Sequence, residues 1–233
     1  MKKMVKKEER NWFFNVLSRT FKRFRGVSKD GGGTRELSSG YLSDKVRDGL
    51  IAETRRHGGD LLEIGCGEGM FLKEMVSNGK NKLVGLELFF KMLERTKYVL
   101  GDNRKSVDFV QAGGENMPFK EASFDRAVCV NIFYNIPTMV LIEAIIKEAG
   151  RVLRKDGVFI FEIRNKYNPF MYLLYRWVDF YDTSIGDLPL NTYFYHEINR
   201  FLKRHGLAVI RKKGVFIPLW FLSPVFIIVA RKD

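Results

Sequence analysis

Apolar positions alternate between short continuous runs and longer amphipathic stretches from residue 61 onward. The continuous runs predict strands at 61–64, 82–87, 107–111, 125–131 and 157–163. The amphipathic stretches between them predict helices at 69–77, 89–100 and 137–153. Strands that alternate with helices favour a parallel sheet with right-handed crossovers and helices on both faces. Ligands of such α/β sheets bind beyond the carboxyl ends of the strands.

The flanking regions extend this pattern at both ends. Residues 41–57 predict a helix that ends at Gly58-Gly59, and residues 196–205 predict another. Strands at 207–212 and 225–231 would then close the sheet. Two further segments are rich in apolar and aromatic residues: an insertion at 167–181 and a connection at 215–222 that is too apolar for an ordinary surface loop. They either surround an apolar ligand or pack as core, and the sequence leaves both open.

The amino-terminal 40 residues differ in character from the rest. Residues 1–27 carry nine Lys or Arg against two Glu, a net charge of +7. Within residues 10–25, apolar side chains that include Trp12 and Phe13 recur at helical spacing opposite basic ones, which is typical of an interfacial membrane helix. A helix that closes over the cleft as a lid is the alternative. A glycine-rich linker follows, so we divide the chain into an extension at 1–40 and a domain at 41–233.

Composition narrows the classes of protein. The chain has 233 residues, a net charge of +13 and 45% hydrophobic residues, which excludes a disordered chain. Its two cysteines fall in predicted buried segments, which favours a reducing, cytoplasmic setting. We expect no spanning helix, because no run of ~20 apolar residues occurs. Three scattered histidines indicate no metal site. The basic arm either binds an anionic partner, the inner membrane surface with peripheral attachment or RNA, or is a solvated tail, and the sequence leaves both open.

A turn with three glycines carries the strongest chemical signal. Gly65, Gly67 and Gly69 follow the first predicted strand, where glycine lets a ligand lie directly on the main chain. Met70 excludes the dinucleotide pattern G-x-G-x-x-G, and no G-K-S/T follows as in a phosphate-binding loop. Glu63 precedes the turn, and Glu87 ends the next strand, where an acid can bind a ribose diol. Two acids without a basic residue in the turn favour a cationic nucleoside.

This combination resembles the class I S-adenosylmethionine-dependent methyltransferases, in particular the branch that includes ubiquinone and menaquinone biosynthesis enzymes. Residues 112–119 with 123–125 resemble that family's A-D-A-E-x-L-P-F…S-F-D segment, and residues 148–157 resemble its E-x-x-R-V-L-K-P-G-G segment. The resemblance implies a Rossmann-like three-layer sandwich whose seven-stranded, mostly parallel sheet has an antiparallel last strand. It implies S-adenosylmethionine as cofactor and S-adenosylhomocysteine as product. Gly113 stands where the family usually has an Asp that holds the adenine amino group, so backbone or a neighbouring residue must hold adenine here.

The resemblance also implies which residues bind the cofactor. The methionine end would lie at the glycine turn, the ribose at Glu87, and adenine near Gly114 and Glu115. The expected set is Glu63, Gly65, Cys66, Gly67, Gly69, Glu87, Leu88, Gly114, Glu115 and Asn131. The alternative for Glu63 is a structural carboxylate that caps the turn. For Glu115 the alternative is local turn chemistry before Pro118.

Methyl transfer from a sulfonium needs alignment and exclusion of water more than a nucleophilic side chain. Tyr134 and His196 are the candidate catalytic residues, although His196 also suits a structural place at a helix start. Asn131-Ile132-Phe133-Tyr134 lacks the prolines of the N-P-P-Y motif of base methyltransferases, so we interpret that match as coincidence. The sequence therefore predicts a methyltransferase for a small hydrophobic acceptor, such as a quinone precursor, phenol or lipid. The alternative is an RNA methyltransferase that uses the basic arm.

Overall fold

The computed structural model describes residues 41–76, 81–176, 190–216 and 222–233, with only the backbone of Tyr41 and of residues 173–176. The predicted extension at 1–40 and much of the two aromatic segments lie outside the described residues. The described α-helices are α1 (Tyr41–Thr54), α2 (Met70–Met75), α3 (Phe90–Leu100), α4 (Met139–Val152), α5 (Pro169–Arg176) and α6 (Tyr195–Arg204). None of these helices is long and apolar enough to cross a bilayer.

Seven strands form one sheet in the order β3-β2-β1-β4-β5-β7-β6. They are β1 (Leu61–Ile64), β2 (Leu83–Glu87), β3 (Asp108–Gln111), β4 (Phe124–Cys129), β5 (Leu153–Arg164), β6 (Leu207–Val215) and β7 (Val225–Lys232). Strands β1 to β5 are parallel, and β7 is antiparallel to both of its neighbours. This confirms the predicted fold class, including the antiparallel last strand.

The sheet separates two apolar cores because side chains alternate between its faces. On one face Leu62 of β1 and Phe159 of β5 pack with α4 and α6. On the other face Leu61 and Ile160 pack with apolar residues of α1, α2 and α3. Glu63 therefore lies on the face covered by α1, between two residues that face the opposite way.

Most predicted boundaries agree with the structure within a few residues, and the exceptions have local causes. The strand predicted at 125–131 ends at Cys129, and Asn131 has a φ of +55°, a left-handed conformation that leaves the strand direction. The strand predicted at 157–163 begins earlier, at Leu153, directly after α4. The helix predicted over 41–57 ends at Thr54, whose hydroxyl donates to the Leu50 carbonyl at 2.7 Å.

Candidate active site

The glycine turn joins the carboxyl end of β1 to α2. The backbone N–H groups of Gly65 and Cys66 both donate to the Leu86 carbonyl, at 2.7 and 2.9 Å, which fastens the turn to β2. Gly65, Gly67 and Gly69 all have positive φ, at 72°, 50° and 77°. Side chains with a Cβ rarely adopt such angles, so this path of the chain requires glycine.

The three glycines face different surroundings. A Cβ at Gly65 would lie 2.6 Å from Ile132, and one at Gly69 would lie 2.6 Å from Thr96, so both positions are packed against protein. A Cβ at Gly67 would have no atom within 4 Å. The turn is therefore closed on two sides and open at Gly67, which is where a ligand can approach the main chain.

Glu87 ends β2 beside this opening. Its carboxylate accepts a hydrogen bond from the Gly67 N–H at 3.0 Å and another from the Phe89 N–H at 3.1 Å, one on each oxygen. A carboxylate oxygen can accept two hydrogen bonds, so each oxygen keeps capacity for a further donor. Glu87 is thus fixed in position with acceptor sites left over, as recognition of a diol requires.

Glu63 is buried beneath α1, and its Oε2 has no hydrogen-bond partner among the described residues. Desolvation raises the pKa of this carboxyl well above its usual value, and the charge of Glu87 raises it further, while Arg47 of α1 opposes the shift. The Gly67 N–H donates to Glu87 and not to Glu63, so Glu63 does not cap the turn at that amide. A buried carboxylate oxygen without a partner suits a cationic ligand group such as an ammonium.

Two further residues of the expected set surround the turn. Cys66 is buried, and burial raises the pKa of its thiol. Leu88 is 53% exposed directly after Glu87, and its carbonyl accepts a hydrogen bond from Gln111 Nε2 at 3.3 Å. An exposed apolar side chain at this place can pack against a flat heterocycle.

Thr96 is a supporting residue that sequence reasoning missed. It is fully buried in α3, and its hydroxyl donates to the Gly67 carbonyl while also lying 2.9 Å from the Met92 carbonyl. This hydrogen bond fixes the backbone of the open glycine. The sequence does give one indication of this role. Helical spacing places Thr96 on the same buried face of α3 as Leu93 and Leu100, where a polar residue is unexpected.

The segment after β3 contains Gly113, at the position where the family usually has an Asp. A Cβ at Gly113 would lie 2.4 Å from Oε1 of Glu115, so the Glu115 carboxylate occupies the space that a side chain at position 113 would need. A Cβ at Gly114 would lie 2.9 Å from Ile64 of β1, so the backbone packs closely on the strand there. The chain therefore supplies a carboxylate at this place from a residue two positions later.

A second polar cluster lies at the ends of β4 and β5. The side chain of Asn131 accepts a hydrogen bond from Arg164 Nη2 at 3.0 Å and donates to the Ser43 carbonyl of α1 at 3.4 Å. The Arg164 guanidinium lies 4.5 Å from the centre of the Tyr134 ring. Asn131, Tyr134 and Arg164 are all buried. Sequence reasoning named Asn131 and Tyr134 but missed Arg164, because a charged residue in a strand that is otherwise apolar has no motif to mark it.

His196 lies elsewhere, in the first turn of α6. Its Nδ1 is 3.0 Å from the Tyr167 hydroxyl, and its ring stacks on Phe194 with 5.4 Å between centroids. The predicted position at a helix start is confirmed, while its catalytic role stays a prediction. Among the described residues, no cluster of His, Cys, Asp and Glu could hold a metal ion.

Comparisons with known proteins agree with this geometry. Residues 62–161 match the family described as "Methyltransferase domain". An uncharacterised protein of Methanocaldococcus jannaschii is 33% identical over 119 residues, which are 51% of this chain and 42% of that protein. The ubiquinone biosynthesis O-methyltransferase of Pelagibacter ubique is 26% identical over 155 residues, covering 66% of this chain and 60% of the enzyme. The chain thus spans about half the length of these two relatives.

A solved structure has a similar fold. The magnesium protoporphyrin IX methyltransferase of Synechocystis PCC 6803, crystallised with bound SAH, superimposes with a TM-score of 0.65 at 14% identity, covering 98% of this chain and 100% of that one. Residues 62–161 are thus similar to the methyltransferase domain family, and the chain has the fold of a solved methyltransferase structure.

Proposed function

We propose that this protein transfers a methyl group from S-adenosylmethionine to a small hydrophobic acceptor that carries a nucleophilic atom. The single observation that carries the proposal is the open approach to Gly67, which is hydrogen-bonded to the Glu87 carboxylate at the end of the strand beside that of the buried Glu63. When bound, the cofactor supplies a methyl group activated by its positive sulfur. The chain's own residues then have to bind, align and exclude water.

The donor side of the cleft comprises the Gly65–Gly69 turn with Glu63 and Glu87. Its described residues fit the cofactor: the buried Glu63 oxygen without a partner suits the ammonium, and the spare acceptor capacity of Glu87 suits the ribose hydroxyls. Leu88 offers an apolar surface for adenine, and Glu115 offers the carboxylate that position 113 lacks. These roles are our proposal for each residue.

The acceptor side comprises the tips of β4 and β5 with the chain that follows them. Near the start of α5 and the β6–β7 connection, apolar side chains remain exposed in the described residues, and they include Phe170, Tyr172 and Phe216. Asn168 Nδ2 donates to the Leu222 carbonyl at 2.7 Å, which holds the two segments together. Exposed apolar side chains on these two segments support a hydrophobic acceptor such as a quinone precursor, phenol or lipid.

Tracing the methyl group tests the proposal. Incubation of a cell extract with the protein and methyl-labelled cofactor should place the label in the lipid or small-molecule fraction. Label in RNA would instead favour the alternative function, which the excess of basic residues in 1–27 supports. Label in no fraction, although SAH binds, would contradict methyl transfer as the activity.

The basic extension has a separate test. We propose that residues 1–27 attach the protein to an anionic membrane surface. A chain that lacks them should bind SAH with unchanged affinity but should lose cosedimentation with vesicles that contain phosphatidylglycerol. Loss of SAH affinity would identify the segment as a lid. Binding to RNA that weakens steeply with salt, without binding to vesicles, would identify it as an RNA-binding arm.

A further inference from the structure

Glu162 is a buried acid that the donor side does not use. It is 2% exposed, and neither of its carboxylate oxygens has a hydrogen-bond partner among the described residues. Burial of an ionised carboxylate costs free energy because the group loses its hydrogen bonds to water. A hydrogen-bond partner in the protein normally offsets that cost, and Glu162 has none among the described residues. Such a residue is expected where a ligand completes its hydrogen bonds.

The sheet register places this residue near the carboxyl edge of the sheet. Glu63 pairs with Val128 of β4, and Val128 pairs with Ile160 of β5. Glu162 therefore lies two residues nearer the carboxyl edge of the sheet than the level of Glu63. Val158 and Ile160 face the core beneath α1, and since side chains alternate, Glu162 and Arg164 share that face with Glu63.

The groups around Glu162 come from three elements. On its own strand Arg164 lies on the same face, held by the Asn131 side chain and the Tyr134 ring. On β4 the Cys129 thiol is close enough for the Glu162 charge to help raise its pKa. On α1 the charged Arg47 acts on Glu63, and the Ser43 carbonyl accepts from Asn131.

Burial raises the pKa of Glu162 from 4.5 to about 7. The Arg164 guanidinium and the backbone N–H groups of Asn131 and Glu162 oppose this rise, without forming a hydrogen bond of normal geometry to the carboxylate. A carboxyl that changes its charge near neutral pH can both take and return a proton during turnover, which is the property of an effective general base.

We propose that Glu162 is the general base of this methyltransferase and that the acceptor is a weakly acidic hydroxyl, as in a phenol. The inference rests on the proposed function and specifies its acceptor. The hydroxyl oxygen forms a bond to the methyl carbon while the carbon–sulfur bond breaks and its electron pair stays on sulfur. The hydroxyl proton passes to the ionised Glu162 carboxylate and leaves to solvent when product departs. Arg164 stabilises the ionised carboxylate before the transfer.

The kinetic test uses the full chain, methyl-labelled cofactor and 4-nonylcatechol as a hydrophobic phenol. Between about pH 5.5 and 8.5 the wild-type kcat should rise with pH and level off above an apparent pKa near 7. Glu162→Gln should lower kcat about 100-fold at the plateau and remove the ascending limb, with KM changed little. Glu162→Asp should retain the limb at a reduced rate. Glu53→Gln, a change at another buried glutamate, should leave the limb unchanged.

A second readout does not depend on activity. The pKa of the Glu162 carboxyl is higher in the folded protein than its ordinary value of 4.5. As pH rises, the unfolded chain therefore releases the Glu162 proton before the folded protein does. The wild type should therefore lose thermal stability relative to Glu162→Gln between about pH 4.5 and 7, with a constant difference above that window. Melting curves of the two proteins that stay parallel through the window would show a solvated carboxyl and overturn the proposal.

The outcomes separate this inference from the function on which it rests. If calorimetry shows that SAH does not bind the wild type, the proposed function fails. If SAH binds both proteins equally and phenol methylation keeps its ascending limb in Glu162→Gln, only the role of Glu162 is overturned. If SAH binds but 4-nonylcatechol is not methylated, the phenol acceptor is overturned.

Discussion

The donor side and the acceptor side that we propose are made from different parts of the chain. On the donor side the backbone of five consecutive residues, Gly65–Gly69, forms the surface, and acids one strand apart flank it. On the acceptor side, the buried side chains of Asn131 and Tyr134, which follow β4, and of Arg164 at the end of β5 meet the Ser43 carbonyl of α1 across more than a hundred residues of sequence. A backbone surface is common to all uses of one cofactor, whereas a surface of side chains can change with each acceptor.

The largest expected effect breaks the donor side alone. Gly67→Val should reduce SAH affinity at least about 100-fold, because the new side chain fills the open approach where the ligand lies. Gly206→Val is the matched control: Gly206 also has a positive φ, of 68°, with open space around its Cβ position, but follows α6 at the edge of the sheet. Calorimetry should show normal SAH binding for the control. Equal losses in both variants would mean that backbone strain, not ligand contact, explains the result.

The next effect tests the charge of the donor side. Burial and the charge of Glu87 raise the folded-state pKa of the Glu63 carboxyl. This carboxyl must lose its proton before it can form an ion pair with the ammonium group of the ligand. SAH affinity should therefore rise as pH rises through that pKa, and binding should release protons. Glu63→Gln should weaken binding roughly 10-fold at high pH and abolish the pH dependence. Calorimetry in two buffers of different ionisation enthalpy measures both quantities, and proton release that persists in Glu63→Gln would contradict this assignment.

The smallest effect tests whether Glu115 replaces the missing aspartate. Glu115→Ala should weaken SAH binding about 5- to 10-fold by removing one hydrogen bond to adenine. The double variant Gly113→Asp/Glu115→Ala restores a carboxylate at the family position, so its affinity should return towards the wild-type value. An affinity that stays as low as that of Glu115→Ala would contradict the replacement.

The same contrast between the two sides explains what the sequence could predict. The glycine turn follows the end of β1, and Glu87 ends β2. The pattern of hydrophobic residues locates both strand ends, so local sequence was enough to place these residues in the fold. Arg164 and Glu162 were missed because a strand that is buried on both faces reads as uniformly apolar, and nothing local shows which face receives a charge. Asn131 was placed in a strand because its positive φ depends on contacts with α1 and β5 that pattern does not reveal.

Thr96 and Glu115 illustrate the same limit at the level of single contacts. The hydroxyl of Thr96 supports Gly67 from a helix 29 residues away, and the Glu115 carboxylate fills the place of a side chain at 113. Both contacts depend on how a segment folds back, and residue type alone does not determine that path. The sequence motifs indicate the principal residues of the donor side, and the structure adds the contacts that support them.

A crystal structure of the protein soaked with SAH tests the central claim most directly. We expect the nucleoside beside Gly67, with both Glu87 oxygens keeping their backbone hydrogen bonds while accepting from the ribose hydroxyls, and with the ammonium next to Glu63. A nucleoside bound away from Gly67, or a Glu87 side chain that makes no contact with the ribose, would contradict the account.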